Sequence, residues 1–539
     1  MLGKLIRLYH TLKYLRFKQI VWRLYSFFPR FIFFDSSSPN IISLQFRVLF
    51  KHGITQDYNS FTFLNETHCL AEQGWDNKRL SKLWRYNLHY FDFLLQDSAS
   101  LEIIEKQKNI VANWISENSF GKGTGWEPYP TSLRIINWIK WHYHTNALTE
   151  SAKLSLWNQI RWLESKPEFH LLGNHLFVNA KALLFGCALF GLGEKSRIYR
   201  KALDVVISEL DEQFLKDGAH FELSPMYHSL AMEDLLDLYQ LSSLLPSSFP
   251  KEIILEKYKF GMNWLSYMKY DNQEFAHFND CANGIALTYD SLTDYAEKIG
   301  VNIELDSVPE FTHFSESGFA VLKNNNIHLI ADIGKVGPDY LPGHAHADTL
   351  SFELAVEGQR LIVNSGTSEY GLSKERLRQR STAAHSTIEI DGQSSSEVWS
   401  GFRVARRASV SNLEKKTDKN CVEFSVEHDG YKRLNKKCIH RRYWKVSKGH
   451  IEVKDDVSGD GNNAYLRYYV HPDVQVIQNM NELVLKASSG LQVEFLSSHH
   501  PKVESTTYHD KFGISRNNTC LLIEGTAPFT NSVTLSWNN

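Results

Sequence analysis

The sequence predicts a multidomain α+β protein, with a helical domain followed by an all-β domain of sandwich type. From about Leu83 to Ile299, apolar residues recur with the helical period and the connections are short. After a change of character near Asp306–Pro309, the chain turns to short alternating runs separated by turn-forming residues. The composition can fill both parts: 539 residues are 42% hydrophobic and 22% charged, enough apolar side chain for a large core.

Residues 1–75 form a basic amphipathic extension. Lys4, Arg7, Lys13, Arg16, Lys18, Arg23 and Arg30 interleave with Leu5, Leu12, Leu15, Ile20, Val21 and Leu24, with no acid among the first thirty residues. Such a segment packs on the body with a solvated basic face, or makes peripheral contact with an anionic membrane through residues 1–30. Basic residues interrupt every apolar stretch, so no cleavable signal is read and a cytoplasmic location is expected, at the inner membrane face if that contact is made. Residues 76–305 form the helical domain. Ser100 to Asn118 places Leu101, Ile104, Ile110, Val111 and Ile115 on one face, and further helices are expected to start near Pro130, Glu150, Asn174, Lys195, Tyr227, Pro250 and Ala282. Residues 306–539 form the β domain, with runs at Phe319–Leu322, Ile327–Ile333, Leu350–Val356, Leu361–Asn364, Thr387–Ile390, Val422–Val426, Ala464–Val470 and Val533–Trp537.

Composition also excludes classes. A net charge of −2 argues against a generic nucleic-acid binder. No apolar run reaches the ~18 residues of a membrane span. Six scattered cysteines give neither a zinc knuckle nor a disulfide framework.

Three clusters can carry chemistry. Gly343-His344-Ala345-His346-Ala347-Asp348 leads into a strand, where alternation points both imidazoles and the carboxylate the same way and suits a metal or acid–base site. His346 with Asn364 and His385 makes a plausible three-ligand set. In the helical half, Gly173-Asn174-His175 opens a helix, where Asn174 also fits an N-cap. Glu222-Leu-Ser-Pro-Met-Tyr227-His228 precedes another helix, where Tyr227 also fits a core position.

Taken together, the ordered stretches Gly-Asn-His-Leu-Phe-Val-Asn-Ala-Lys-Ala-Leu (173–183), Ser-Pro-Met-Tyr-His (224–228), Gly-His-Ala-His-Ala-Asp-Thr-Leu-Ser-Phe (343–352), Leu-Ile-Val-Asn-Ser-Gly-Thr (361–367) and Arg-Ser-Thr-Ala-Ala-His-Ser-Thr (380–387) resemble the heparinase II/III-like polysaccharide lyases, which include oligoalginate lyases. The region from Trp126 to Trp138 resembles the family's early helical region. The resemblance spans roughly residues 80 to 445. It implies an incomplete (α/α) toroid followed by an antiparallel β-sandwich. The implied activity is β-elimination on a uronate-containing anionic polysaccharide, leaving a 4,5-unsaturated end.

Residue by residue, the resemblance implies that Asn174 holds the substrate carboxylate and that His175 and His344 are base or charge-neutralising groups. Tyr227 becomes the general acid, or acid and base by turns. His346, Asn364 and His385 match the metal positions, with zinc the expected ion. The family's usual aspartate is Asn364 here, a poorer zinc ligand, and Asp348 is a possible compensating one. Tyr370 matches another site tyrosine. Arg134, Arg378 and Arg380 are expected to bind acidic sugar groups, and Trp126 and Trp138 to line the sugar cleft or the core. The basic, aromatic amino terminus resembles members linked to bacterial surface-polysaccharide metabolism. Two other readings fit the same residues: a glycan-binding protein of polysaccharide assembly on an inactive lyase fold, and a metal-dependent glycan hydrolase.

Overall fold

The computed structural model describes residues 2–538 apart from 27, 29–31, 44, 52, 56, 97–99, 304–308, 419–420, 435–436 and 480–481. Residues 306–308 of the expected change of character, and Arg30 of the basic extension, lie outside that set. The architecture is an incomplete (α/α) toroid followed by an antiparallel β-sandwich.

Local chemistry sets the helix starts. The side chains of Ser100, Thr149 and Ser224 accept the N–H of Ile103, Ala152 and Tyr227, so helices begin at Leu101, Glu150 and Pro225. Others run over Pro128–Thr145, Gly173–Leu189, Arg197–Gln213 and Lys251–Met268, close to their expected positions. The helix Gly173–Leu189 is apolar almost all round, and every residue from Leu176 to Leu189 is buried, as befits a central helix. The helix expected near Ala282 starts instead at Tyr289, capped by Thr288. The chain before it is irregular because Gln273 and Asn279 hold left-handed backbone (φ 67° and 56°).

Among the described residues, the β half forms a nine-stranded and an eight-stranded sheet. Leu329, Phe352, Leu361 and Leu466 of the first pack against Phe424, Trp444, Ile451 and Leu535 of the second. Trp264, Tyr267 and Phe278 pack the helical half onto Phe319, Val321 and Ile330 of the first sheet. The strand expected from Leu350 begins only at Phe352, because Leu350 sits at φ 65°. The stretch 344–348 is therefore an irregular loop rather than extended strand.

One buried ion pair fastens the sheets to the later site. Arg442 donates from Nε to Asp455 Oδ1 (2.6 Å) and from Nη1 to the carbonyls of Leu350 (2.6 Å) and Ser386 (2.7 Å), with Arg442 and Asp455 both fully buried. Arg442→Leu leaves Asp455 buried without its cation and should cost about 3–5 kcal/mol. A thermal melt should show a fall in Tm of several degrees or more, and an unchanged Tm would refute this role for the pair.

Candidate active site

The site forms where the two halves meet. At its centre is Asp280, fully buried. Arg376 donates from Nη2 to Asp280 Oδ2 at 2.6 Å and from Nη1 to Oδ1. His344 Nδ1 lies 2.8 Å from Oδ2, and His346 Nε2 lies 2.8 Å from Oδ1. Burial alone would raise this carboxyl, but Arg376 and the two imidazoles hold it well below the usual carboxylate range. Its backbone is held as firmly: Asp280 N–H donates to the His344 carbonyl (3.0 Å), and Ser224 Oγ donates to the Asp280 carbonyl (2.6 Å). Asn279 donates from Nδ2 to the Leu223 carbonyl (2.8 Å) and accepts from His346 N–H (3.0 Å). The turn at 279–280 thus joins the Tyr227 loop to the His344 loop.

With Nδ1–H donated to Asp280, His344 presents Nε2 to the cleft as an acceptor. Its ring lies 4.0 Å from that of Tyr227 (centroid to centroid), and Tyr227 Oη is 2.9 Å from Tyr370 Oη. Burial, the neighbouring Tyr370 hydroxyl and Asp280 raise the Tyr227 phenol well above its ordinary value. It is therefore held protonated. Phe402 packs against both His344 and Tyr370.

On the other wall, Asn174 and His175 occupy the first turn of the helix Gly173–Leu189. The cap position is Leu172, so Asn174 is not the N-cap. Its side chain instead lies near the Tyr129 hydroxyl. Unpaired N–H groups and the dipole at this helix start favour an anion. His175 Nδ1 is 3.2 Å from Glu168 Oε1, and Tyr129 packs 4.4 Å from its ring. Burial disfavours the imidazolium, but Glu168 more than offsets this, and the His175 pKa is raised. Glu222 lies within electrostatic reach of both His175 and His344, and burial raises its pKa. Left-handed backbone at Leu172, Leu223, Asn279 and Leu350 flanks these groups and stores strain of order 1–3 kcal/mol each.

Behind His344, His346, Asp348 and His385 each offer a ligand atom, all within 4.8 Å of one another. His346 donates Nε2–H to Asp280 and His385 donates Nδ1–H to the Ser381 carbonyl (2.8 Å), so the facing His346 Nδ1 and His385 Nε2, 3.1 Å apart, are both acceptors. Burial keeps both rings neutral and pushes Asp348 up to about 6. Two opposed lone pairs and a buried carboxyl, each imidazole oriented by an outer acceptor, suit a divalent cation. Asn364 accepts from Ser386 N–H (3.2 Å) and donates to Ser351 Oγ (3.4 Å), which places it beside His385 in hydrogen bonds of its own.

Comparison with known proteins identifies the family and the fold. The description "Heparinase II/III N-terminus" matches residues 110–299, and "Heparinase II/III-like, C-terminal" matches residues 306–536. The chain belongs to the heparinase II/III-like family. It is 24% identical over 356 residues to a heparin-sulfate lyase of Bacteroides stercoris, covering 59% of this chain and 49% of that protein. It is 25% identical over 248 residues to a heparin-sulfate lyase of Pedobacter heparinus, covering 41% and 36%. The chain thus aligns with about half or less of these curated relatives. The crystal structure of heparinase III superposes with a TM-score of 0.69 at 18% identity, covering 90% of this chain and 81% of that one.

For this heparinase II/III-like chain, the structure brings Asn174, His175, Tyr227, His344 and Tyr370 together, with His346 and His385 behind them. It separates others from the cleft. Arg134 is fully buried, donating to Gln159 and the Gly125 carbonyl and stacking 3.9 Å over Trp114. Trp126 and Trp138 belong to the same aromatic core. Arg380 is buried, donating to the Ala345 carbonyl (2.8 Å), so it shapes the His344 loop rather than meeting sugar. Arg378 pairs with Glu375 and reaches His509. None of the six cysteines, all among the described residues, is in a disulfide.

Asp280, Arg376, Glu168 and Tyr129 were not singled out as site residues from sequence, and Glu222 only as part of the cluster with Tyr227. Asp280 lies in the irregular stretch read as leading into a helix, and its only signal is Asn279-Asp280 interrupting an apolar run.

The amino-terminal helices reach this cleft. Gln19 donates from Nε2 to the carbonyls of Leu171 (3.4 Å) and Tyr340 (3.3 Å), one on each wall. Trp399, in the hairpin that carries Phe402, donates from Nε1 to Thr11 Oγ1 (3.1 Å).

Metal analysis of the purified chain is expected to find one divalent ion, lost in His385→Ala. A chelator should lower the wild-type Tm by several degrees and leave that variant's unchanged. A metal-free wild type whose Tm ignores both chelator and added ion would contradict the assignment.

Proposed function

We propose that the protein is a polysaccharide lyase that cleaves an anionic, uronate-containing chain by β-elimination. The observation that carries this reading is an acceptor imidazole, His344, packed with its ring centroid 4.0 Å from that of a phenol, Tyr227, held in its protonated form. A base and an acid on adjacent atoms of one substrate are what elimination needs.

A uronate C5–H is poorly acidic because the neighbouring carboxylate carries charge. Asn174 and a cationic His175 at the helix start bind and neutralise that carboxylate, in the manner of an oxyanion hole. His344 Nε2 takes the C5 proton while Asp280 holds its Nδ1–H. The C4–O4 bond breaks as the C4=C5 bond forms, and Tyr227 gives its proton to O4. Solvent exchange returns the proton from His344 and reprotonates Tyr227. Tyr370 orients the Tyr227 hydroxyl. Zinc is the ion the two imidazoles and carboxylate of His346, Asp348 and His385 suit, and bound there it would stabilise the loop behind His344. The relatives' names make a heparin-sulfate-like chain the first substrate to try.

Elimination conjugates the new double bond with the carboxylate, so ultraviolet absorbance reports it directly. Wild type is expected to raise absorbance with at least one polymer in a uronate panel that includes bacterial capsules. Tyr227→Phe and His344→Ala should each lose at least ~100-fold in kcat, the scale of acid–base catalysis, with unchanged circular dichroism. Shortened chains without absorbance would mean hydrolysis, and saturable binding without cleavage would mean a glycan-binding protein.

The pH profile follows from His175. Its raised pKa means the imidazolium is fully present below its ordinary value of 6.5 and is lost only as pH rises through the higher folded value. The alkaline limb of kcat/KM should therefore fall at a pH above the ordinary imidazole value of 6.5. Glu168→Gln removes the group that raises His175, so that limb should move to lower pH. A limb that stays in place would refute a cationic His175.

A further inference from the structure

The amino-terminal helices are turned inside out. In the helix Phe17–Tyr25, the apolar stripe Phe17, Ile20, Val21 and Leu24 repeats at i, i+3, i+4 and i+7, yet all four face solvent, Phe17 being 80% and Leu24 59% exposed. Turned to the body instead are Gln19, only 4% exposed and spanning the carbonyls of Leu171 and Tyr340, and half-buried Trp22, whose ring lies 4.8 Å from that of Phe169. In the helix Leu2–Leu12, the face formed by Leu5, Tyr9 and Leu12 is likewise exposed, and half-buried Thr11 makes the contact with Trp399. A water-facing helix of a soluble domain shows the opposite polarity.

We infer that the outer face of the helices Leu2–Leu12 and Phe17–Tyr25 docks on an anionic lipid bilayer. Large exposed apolar patches mark binding surfaces, and the charge around this one selects its occupant. No Asp or Glu occurs before Asp35, while Lys4, Arg7, Lys13, Lys18 and Arg23 are all exposed beside the apolar stripe. Apolar side chains inserted below the headgroups, with cations level with the phosphates, are the arrangement of an interfacial amphipathic helix. A second copy of this chain would oppose one basic face with another. A soluble polyanion would use the cations but leave Phe17 and Leu24 in water. The inner contacts of Thr11, Gln19 and Trp22 already fasten the helices to both walls of the cleft, so docking would hold the cleft at the membrane surface. This inference stands independently of the lyase reading.

Co-sedimentation of the full chain with vesicles tests it. Wild type should pellet with phosphatidylglycerol vesicles, stay in the supernatant with phosphatidylcholine, and be released by high salt. Phe17→Ser/Leu24→Ser should lose the binding without a change in Tm. Lys4→Glu/Arg7→Glu should weaken it at least tenfold, since each basic side chain near such a surface contributes roughly fivefold. Several results would overturn the inference: no pelleting with either vesicle, equal pelleting with both, or wild-type pelleting by the double serine variant. A dimer in solution that this variant dissolves would assign the face to a second copy, and capture by soluble heparin without vesicle binding would assign it to a polyanion.

Discussion

Everything at the junction of the two halves depends on one buried carboxylate. Asp280 has no access to water, and burying such a charge costs several kcal/mol unless it is fully partnered. Arg376 meets it bidentately, which neutralises it, and His344 and His346 each supply an N–H. Because Arg376 already balances the charge, both imidazoles can serve as neutral donors. Their tautomers follow: His344 must offer Nε2 to the cleft, and His346 must offer Nδ1 to His385 and Asp348. A single side chain therefore sets which nitrogen carries the proton in His344, of the proposed acid–base pair, and in His346, of the candidate cation group.

The same residue joins the halves mechanically. Its carbonyl accepts from Ser224, the cap of the helix that carries Tyr227, and its N–H donates to the carbonyl of His344 in the β half. The helical half adds a helix start for the anion, and the β half adds Tyr370 and the histidines. The left-handed residues around the site are places where local preference yields to this arrangement.

Much of this was legible in the letters. The helix starts at Glu150 and Pro225 follow from the caps Thr149 and Ser224, the start at Gly173 from the apolar pattern after it, and the strand runs from alternation. Asn174, His175, Tyr227 and His344, which lie at the junction of the two halves, each sit in a short polar motif at the edge of an apolar element. Arg134 and Arg380 misled because a charged side chain suggests a surface, whereas both are buried against backbone carbonyls. Asp280 was illegible for a different reason. Its partners lie 64, 66 and 96 residues away along the chain, and no local periodicity records such pairings. The outward apolar face of the first helices was equally hidden, since amphipathicity in a sequence does not say which face turns inward.

The central claim is that Asp280 fixes the tautomer of His344. Nitrogen-15 NMR of histidine-labelled protein near neutral pH reads that tautomer directly, with His344→Gln used to assign the resonance. The account predicts a neutral ring protonated at Nδ1, with Nε2 showing the shift of a bare acceptor nitrogen. A ring protonated at Nε2 would contradict it, because His344 could then neither donate to Asp280 nor accept a proton from substrate at the cleft.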